Sequence, residues 1–417
     1  MIRRSALIII SVLLLLLSPS FVAADAGIVV TASDVDINFP SQAVFTLDAE
    51  SSADIVDVRL YYQVDKMSYA EIVSEGWADF TPATRIEANW VWDMRRASLP
   101  PGAGVTYWWM VEDADGSRFE TSPEIMHFND DRFSWQSLTG ITPQGSELTL
   151  SWYEGSDSFA QKLMSVCQEG LVRLTEEIGA YPERPINIYI YASTSDLREA
   201  MIFPQEWTGG VAFTAFSTIA IGIPPSEIDW GKRALVHELT HLVVHQVTFS
   251  PYGQLPIWLD EGLAMYNEGE LDLAYSSRLE KAILDDKLIS VRSLCSPFSA
   301  EREKALLSYA QSYSLVEYLL NNYGRDRMLD LLNLLKEGAT YDKALTEVYG
   351  FDIDGLDVNW RETLAPHAVI ANEAQQYHPA LITVLAAMAA VLVLWGALTL
   401  KKRGLGGGRL NKPHQRR

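Results

Sequence analysis

The feature of this 417-residue sequence that most restricts its fold is a short polar motif, His237-Glu238-Leu239-Thr240-His241, inside an apolar stretch. The residues around it, from Arg233 to Gln246, are mostly apolar, which predicts a buried helix. Residues four positions apart lie above one another on a helix, so His237 and His241 can direct their imidazoles at one point. Buried polar groups without partners are costly, so these side chains need a ligand.

A divalent metal ion is the ligand that this pattern favours. Neutral imidazole binds zinc at about 2.0 Å, and a carboxylate beside the first histidine can act as general base toward a water molecule. Glu238 is that carboxylate. Zn²⁺ is the expected cofactor because two imidazoles and a carboxylate suit a borderline-soft ion, although Mn, Co or Fe can occupy the same ligands.

A third candidate ligand follows in a second predicted helix. The segment Leu255-Pro-Ile-Trp-Leu-Asp-Glu-Gly-Leu-Ala-Met-Tyr266 places Pro256 at a first-turn position that proline favours, and Glu261 follows one turn later. Three protein ligands and one open position are the coordination of a catalytic zinc site. His237, His241 and Glu261 would provide those three ligands.

Together, His237-Glu-x-x-His241 and Trp258-Leu-Asp-Glu-Gly-Leu-Ala264 resemble the gluzincin clan of zinc metallopeptidases, which contains thermolysin and the zinc aminopeptidases. The likeness is greatest to the peptidase-MA-like members and covers roughly residues 145–365. It implies three zinc ligands, a catalytic base, and a residue that supports the ligands from the position where relatives often carry Asn. The three ligands are His237, His241 and Glu261, the catalytic base is Glu238, and the supporting residue is Asp260.

Two related patterns are absent from the sequence. The metzincin pattern requires Gly at position 244 and His at position 247, where this chain has Val244 and Val247. The Gly-x-Met-Glu-Asn strand with which aminopeptidases hold a free amino terminus is also missing from the 417 residues. The resemblance therefore favours an endopeptidase over an exopeptidase.

The resemblance also implies a substrate-binding strand and an oxyanion donor. A small sheet is expected ahead of the zinc helix, with its last strand at the edge of the cleft, where an extended peptide can add. We place that strand at Ile219-Ala220-Ile221-Gly222. Relatives stabilise the oxyanion with a Tyr or His of a later helix. Within Ser308–Leu320 the candidates are Tyr309 and Tyr313, for which packing in a core is the alternative role.

The remaining sequence predicts a multidomain chain. With 48% hydrophobic and 11% aromatic residues, it can form two well-packed domains. Alternating runs broken by turn residues predict about seven strands and an all-β immunoglobulin-like or fibronectin-like sandwich at 25–131. After a linker at 132–145, residues 146–366 predict an α+β peptidase domain of the zincin type, with a small sheet followed by helices.

Both ends of the chain have patterns typical of membrane targeting. Residues 1–24 combine two arginines, an apolar run and small residues, which predicts a secretory signal peptide rather than a retained anchor. Residues 380–400 contain no charged residue and predict a transmembrane helix rather than a buried core helix, and the basic segment 401–417 predicts a cytoplasmic tail. These segments predict a single-pass cell-membrane protein with an extracytoplasmic catalytic domain.

The net charge of −21 is unevenly distributed. Residues 25–379 contain 24 basic and 54 acidic residues, a net charge of −30. Such a surface repels nucleic acid, so no nucleic-acid partner is expected. The expected partners are a peptide or protein substrate and the membrane crossed by the single span. The β-sandwich is expected to be a spacer or to contact the substrate or an envelope component.

Three alternatives stay open at the level of the sequence. Cys167 and Cys295, the only cysteines, can form a disulfide in an exported protein or be separate buried thiols. His245 lies one turn beyond His241, but zinc with three protein ligands and water needs no fourth, so a core or supporting role is favoured. A non-catalytic cell-surface protein that binds peptide or polymer on a peptidase fold would have no need of Glu238.

Overall fold

The computed structural model describes residues 27–96, 98–202 and 209–364. The chain divides into two compact units. Among the described residues, the first unit comprises 27–253 and 328–338, and the second comprises 254–327 and 339–364. Each unit has buried apolar residues of its own.

The first unit begins with a sheet of seven strands. They are β1 (Val29–Asn38), β2 (Gln42–Val64), β3 (Ser74–Trp77), β4 (Ala83–Asp93), β5 (Ala103–Asp113), β6 (Arg118–Glu120) and β7 (Glu124–Phe128). This agrees with the predicted β-rich amino-terminal region. The alternation of side chains explains the strands, since Ala43, Phe45, Leu47 and Ala49 are all fully buried on one face of β2.

Strand β2 pairs with four other strands. Its first half pairs with β1 and β4, and its second half pairs with β3 and β5. The register shifts between Glu50 and Ile55, where the strand passes from the first two partners to the other two. Hydrogen bonds therefore connect all seven strands in one sheet, which differs from the two separate sheets of the predicted sandwich.

A second sheet of five strands follows in the same unit. Its strands are β8 (Gln136–Ile141), β9 (Glu147–Trp152), β10 (Ile186–Tyr191), β11 (Gly210–Phe213) and β12 (Thr218–Gly222). The order is β11-β12-β10-β9-β8, with β10 parallel to both of its neighbours and the two outer strands antiparallel. This is the small sheet that the sequence predicts ahead of the motif helix.

The β-rich region and the five-stranded sheet share one hydrophobic core. Tyr191 of β10 and Ala220 of β12 belong to the same buried cluster as the core residues of the first sheet. Asp130 lies at this boundary, where its carboxylate accepts hydrogen bonds from Arg132 at 2.7 Å and from the Tyr191 hydroxyl at 3.1 Å. Residues 132–145, expected as a linker, contain strand β8.

The helices of the first unit begin and end where the sequence places helix signals. They are α1 (Asp157–Arg173), α2 (Thr194–Glu199) and α3 (Ile228–Val247). Ser156 caps α1 by accepting a hydrogen bond from the backbone N–H of Phe159. A π-helical turn, Leu174–Ile178, extends α1 to Gly179, whose left-handed conformation at φ 83° ends the helix.

The second unit is helical in its described residues. Its helices are α4 (Ile257–Glu268), α5 (Leu273–Leu284), the first part of α6 (Arg302–Lys336), α7 (Tyr341–Tyr349) and α8 (353–364). Gly324, at φ 79° and ψ 171°, interrupts α6. Trp360 of α8 is fully buried and donates a hydrogen bond from its indole nitrogen to Ser314 at 3.1 Å. The helical character agrees with the predicted elements of this region.

The structure corrects the predicted transmembrane helix and, with it, the predicted single-pass membrane location. No helix among the described residues is both long and apolar enough to cross a bilayer. The most apolar long helix, α3, contains Asp229, Lys232, Arg233 and Glu238, and charges at this density are incompatible with a hydrocarbon core. Residues 1–24, 380–400 and 401–417, on which the targeting predictions were made, lie outside the described residues.

Removing the Asp130 carboxylate should destabilise the first unit. Asp130→Ala leaves Arg132 and the Tyr191 hydroxyl without their partner, and we expect the free energy of unfolding to fall by about 2–3 kcal/mol. The loss of stability would be larger for a fully buried ion pair, but the Arg132 side chain is 34% exposed. Chemical denaturation measures the loss. Asp93→Ala, which breaks an exposed pair with Arg95, should change stability little, and equal losses would contradict the assignment.

Candidate functional site

Helix α3 carries the polar residues of the motif on one side of its surface. Its apolar residues between Leu235 and Val247 are buried. His237, Glu238, His241 and His245 are half-buried, and their spacing places them along one side of a helix with 3.6 residues per turn. This side is the part of a largely buried helix that can reach a ligand.

The two motif histidines converge on one point. The Nε2 atoms of His237 and His241 lie 3.1 Å apart, and the rings are inclined at 79°. Two nitrogens bound to one tetrahedral zinc at about 2.0–2.1 Å would lie roughly 3.3 Å apart, so the pair fits a shared ion. The same separation suits an N–H···N hydrogen bond between the rings when one Nε2 carries a proton.

Glu238 lies against strand β11. A methyl group built on Gly210 would lie 3.0 Å from both Cγ and Oε1 of Glu238, so the glutamate side chain contacts the strand at this residue. β11 is the outermost strand of the five-stranded sheet. A carboxylate between the histidine pair and a strand edge can accept a proton from a water molecule bound there.

Close packing holds α3 in place. Gly231, in the first turns of α3, lies so near Ile223 that any side chain at this position would clash. Gly170 of α1 contacts Val236 of α3, where an added methyl group would lie 3.3 Å from Cγ2 of Val236. These contacts fix α3 between the end of β12 and α1, and they determine where its histidines lie.

Gln246 fixes the end of α3 and was not singled out from the sequence. Its side chain is buried, and Oε1 accepts hydrogen bonds from the backbone N–H groups of Glu183 and Arg184 at 3.0 and 3.2 Å. Its Nε2 donates to the hydroxyl of Ser217 at 3.0 Å. The sequence indicates this role only by an amide side chain within a mostly apolar segment. A buried amide needs hydrogen-bond partners for both its oxygen and its nitrogen.

The predicted substrate strand needs a correction. Ile219-Ala220-Ile221-Gly222 belongs to β12, which is buried throughout and pairs with β11 on one side and β10 on the other. A peptide cannot add to an interior strand because its backbone groups are already bonded. The edge strand next to β12 is β11, Gly210–Phe213.

In the second unit, helix α4 presents the predicted acidic residues. Asp260, Glu261 and Tyr266 are half-buried, whereas Trp258, Leu259 and Leu263 are buried. Gly262 is in close contact with the backbone of Ser312 in α6, so a side chain there would push the two helices apart. The small residue beside Glu261 therefore sets the position of α4 against α6.

The two candidate tyrosines differ in their surroundings. The Tyr313 hydroxyl donates a hydrogen bond to Glu317 at 3.4 Å, and its ring lies 5.9 Å from that of Tyr266 in α4. Burial raises the pKa of Tyr313 to about 12, and burial also raises the pKa of the Glu317 carboxyl. The Tyr309 ring instead packs edge-on against Phe298. Tyr313 is thus the candidate associated with the helix that carries Glu261.

The two cysteines are free thiols. Cys167 is buried in α1 of the first unit, and Cys295 is half-buried in the second unit. Burial raises the pKa of the Cys167 thiol to about 12 and that of Cys295 to about 11. Both are therefore protonated near neutral pH and are weak nucleophiles or ligands there.

Comparison with protein families agrees with this description. Residues 166–366 match the family model of the Peptidase MA superfamily. The match supports a peptidase-like fold of the zincin type in this part of the chain, and the gluzincin subclass stays a prediction. No curated protein matches the sequence.

Replacing Gln246 should loosen the end of α3. Gln246→Leu leaves two backbone N–H groups and the buried Ser217 hydroxyl without their partner, and we expect a loss of about 1–3 kcal/mol in the free energy of unfolding. Urea denaturation followed by tryptophan fluorescence measures it. Gln144→Leu, which removes an exposed amide bonded to Thr175, is the matched control. A loss no larger than that of the control would show that Gln246 does not anchor the helix.

Proposed function

We propose that this protein is a metal-dependent peptide hydrolase, and that it acts as an endopeptidase. The observation that carries the proposal is the His237–His241 pair, whose 3.1 Å separation fits one shared ion, beside the carboxylate of Glu238 on the same side of α3. The match of residues 166–366 to the Peptidase MA superfamily supports the same reaction class.

His237, His241 and Glu261 are the proposed ligands of one divalent ion, with zinc as the preferred metal. Two imidazoles and one carboxylate are a donor set that suits zinc, and all three side chains are half-buried. This set leaves a position open for water or substrate. When bound, such an ion supplies Lewis-acid chemistry that makes a water molecule acidic near neutral pH. Asp260 is proposed to support the ligands.

Glu238 is the proposed general base and acid. Its carboxylate accepts a proton from the attacking water, the water oxygen forms the new bond to the peptide carbonyl carbon, and the same proton passes to the leaving amine as the C–N bond breaks. A donor for the oxyanion is needed during this step. Tyr313 is the preferred donor because its ring neighbours Tyr266 of α4, and Tyr309 is the second candidate.

The proposed substrate is an extended peptide that adds to the edge of β11. An exposed strand edge offers backbone N–H and C=O groups that pair with an extended chain regardless of its sequence. Glu238 contacts β11 at Gly210, so a peptide on this edge would pass the proposed base. The net charge of −30 over residues 25–379 favours neutral or basic peptides over acidic ones.

The proposed activity predicts that the purified full-length chain cleaves an unstructured protein such as unfolded casein, and that a chelator stops the cleavage because the ion is removed. Gel electrophoresis and mass spectrometry of the fragments measure it, and internal cleavage sites identify an endopeptidase. Added Zn²⁺ should restore the activity. Peptide binding without cleavage would instead support the non-catalytic binding protein and contradict the hydrolase.

Two substitutions should separate the roles of base and ligand. Glu238→Gln should keep the metal but lower kcat by at least about 10²–10⁴-fold, because an amide cannot accept the proton. His241→Ala should lose most of the metal and the activity together. Metal analysis and peptide kinetics measure both effects.

Matched controls for these variants exist in the first unit. Glu227→Gln changes an exposed carboxylate at the start of α3, and His127→Ala changes an exposed histidine of β7. Both should retain metal and activity. Full turnover by Glu238→Gln would rule out the proposed base, and undiminished metal in His241→Ala would rule out the proposed ligand.

A further inference from the structure

The close contact between β11 and Glu238 leaves no room for a side chain at position 210. A Cβ atom built on Gly210 would lie 3.0 Å from Cγ, 3.0 Å from Oε1 and 3.2 Å from Cδ of Glu238. Ordinary contacts of this kind fall at about 3.5–4.0 Å. Three atoms of one glutamate therefore occupy the space that any other residue at 210 would need.

The backbone conformation of Gly210 does not itself require a glycine. Its φ is not in the left-handed region, unlike that of the glycines that end helices or form turns in the described chain. It pairs with Ile221 in the antiparallel ladder between β11 and β12, a position that other residues occupy readily. Glycine weakens a strand, so its presence there marks a close approach of another group.

We propose that Gly210 is a positioning residue for Glu238, because the missing side chain lets the carboxylate lie against the edge strand. The proposal rests on the proposed role of Glu238 as general base. A methyl group at 210 meets both Cγ and Oε1, so a shift of the carboxylate tip alone does not relieve the contact. The glutamate side chain must therefore give way by a few tenths of an ångström, and its carboxylate moves with it.

The chain contains a matched control at the neighbouring residue. A methyl group on Gly209 would lie 3.2 Å and 3.4 Å from two ring atoms of Trp230, and it would not meet Glu238. Trp230 is 47% exposed, so its ring can move aside into solvent. Gly209→Ala therefore reproduces the glycine-to-alanine change in the same segment without displacing the proposed base.

The kinetic test compares Gly210→Ala with Gly209→Ala in the full-length chain. A misplacement of about 1 Å can lower a rate 10²-fold, so the shift of a few tenths of an ångström in Gly210→Ala should lower kcat by about 3- to 10-fold. Its KM and metal content should change little, because neither histidine ligand is displaced. Gly209→Ala should keep the parental kcat. An unchanged kcat in Gly210→Ala, or an equal loss in both variants, would overturn the proposal.

A second measurement does not depend on activity. The crystal structure of Gly210→Ala should show the Glu238 side chain displaced from its position in the parent, while Gly209→Ala should leave it unchanged. If the parent cleaves no peptide, the proposed function fails, and the position of the Glu238 side chain still decides whether Gly210 positions it. An unmoved Glu238 in Gly210→Ala would overturn the proposal.

If Gly210→Ala does not fold, the double variant Gly210→Ala/Glu238→Ala provides the check. It removes the glutamate atoms that the new methyl group meets, so folding measured by circular dichroism should be restored. Failure of the double variant to fold would show that Gly210 acts through another contact.

Discussion

The packing of helix α3 is the constraint on which the proposed chemistry depends. A helix that is apolar on nearly all sides is stable only when neighbours cover it, and here α1 and the end of β12 approach it closely at Gly170 and Gly231. Gln246 fixes its end through three hydrogen bonds. Because these contacts fix the helix, they also fix where its two imidazoles lie, with their Nε2 atoms 3.1 Å apart.

The β-rich region is joined to the five-stranded sheet by a continuous core rather than by a flexible connection. Asp130, Arg132 and Tyr191 form a hydrogen-bonded cluster at the boundary, and Trp135 donates its indole N–H to the carbonyl of Asp130 at 2.8 Å. A carboxylate with a fully buried side chain is tolerated there because each oxygen has a partner. The β-rich region therefore contributes to the stability of the unit that contains α3.

Periodicity predicted most of the elements, and long-range pairing explains what it missed. The alternation in Ala43–Leu47 and the capping signals from Ser156 to Gly179 are local, so the sequence indicates the strand and the helix that the structure contains. Strand order is not local, so the prediction that Ile219–Gly222 is the edge strand is wrong, and β11 lies outside it. The role of Gln246 depends on contacts with residues 29 to 63 positions away in the sequence. The role of Gly210 depends on its contact with Glu238, 28 positions away.

The proposal that His237, His241 and Glu261 bind one divalent ion is tested most directly by anomalous scattering at the zinc edge from crystals of the zinc-soaked protein. We expect one peak bonded to Nε2 of His237, Nε2 of His241 and a carboxylate oxygen of Glu261, with bonds of about 2.0–2.2 Å. An ion bound elsewhere, or no peak at the two histidines, would contradict the claim.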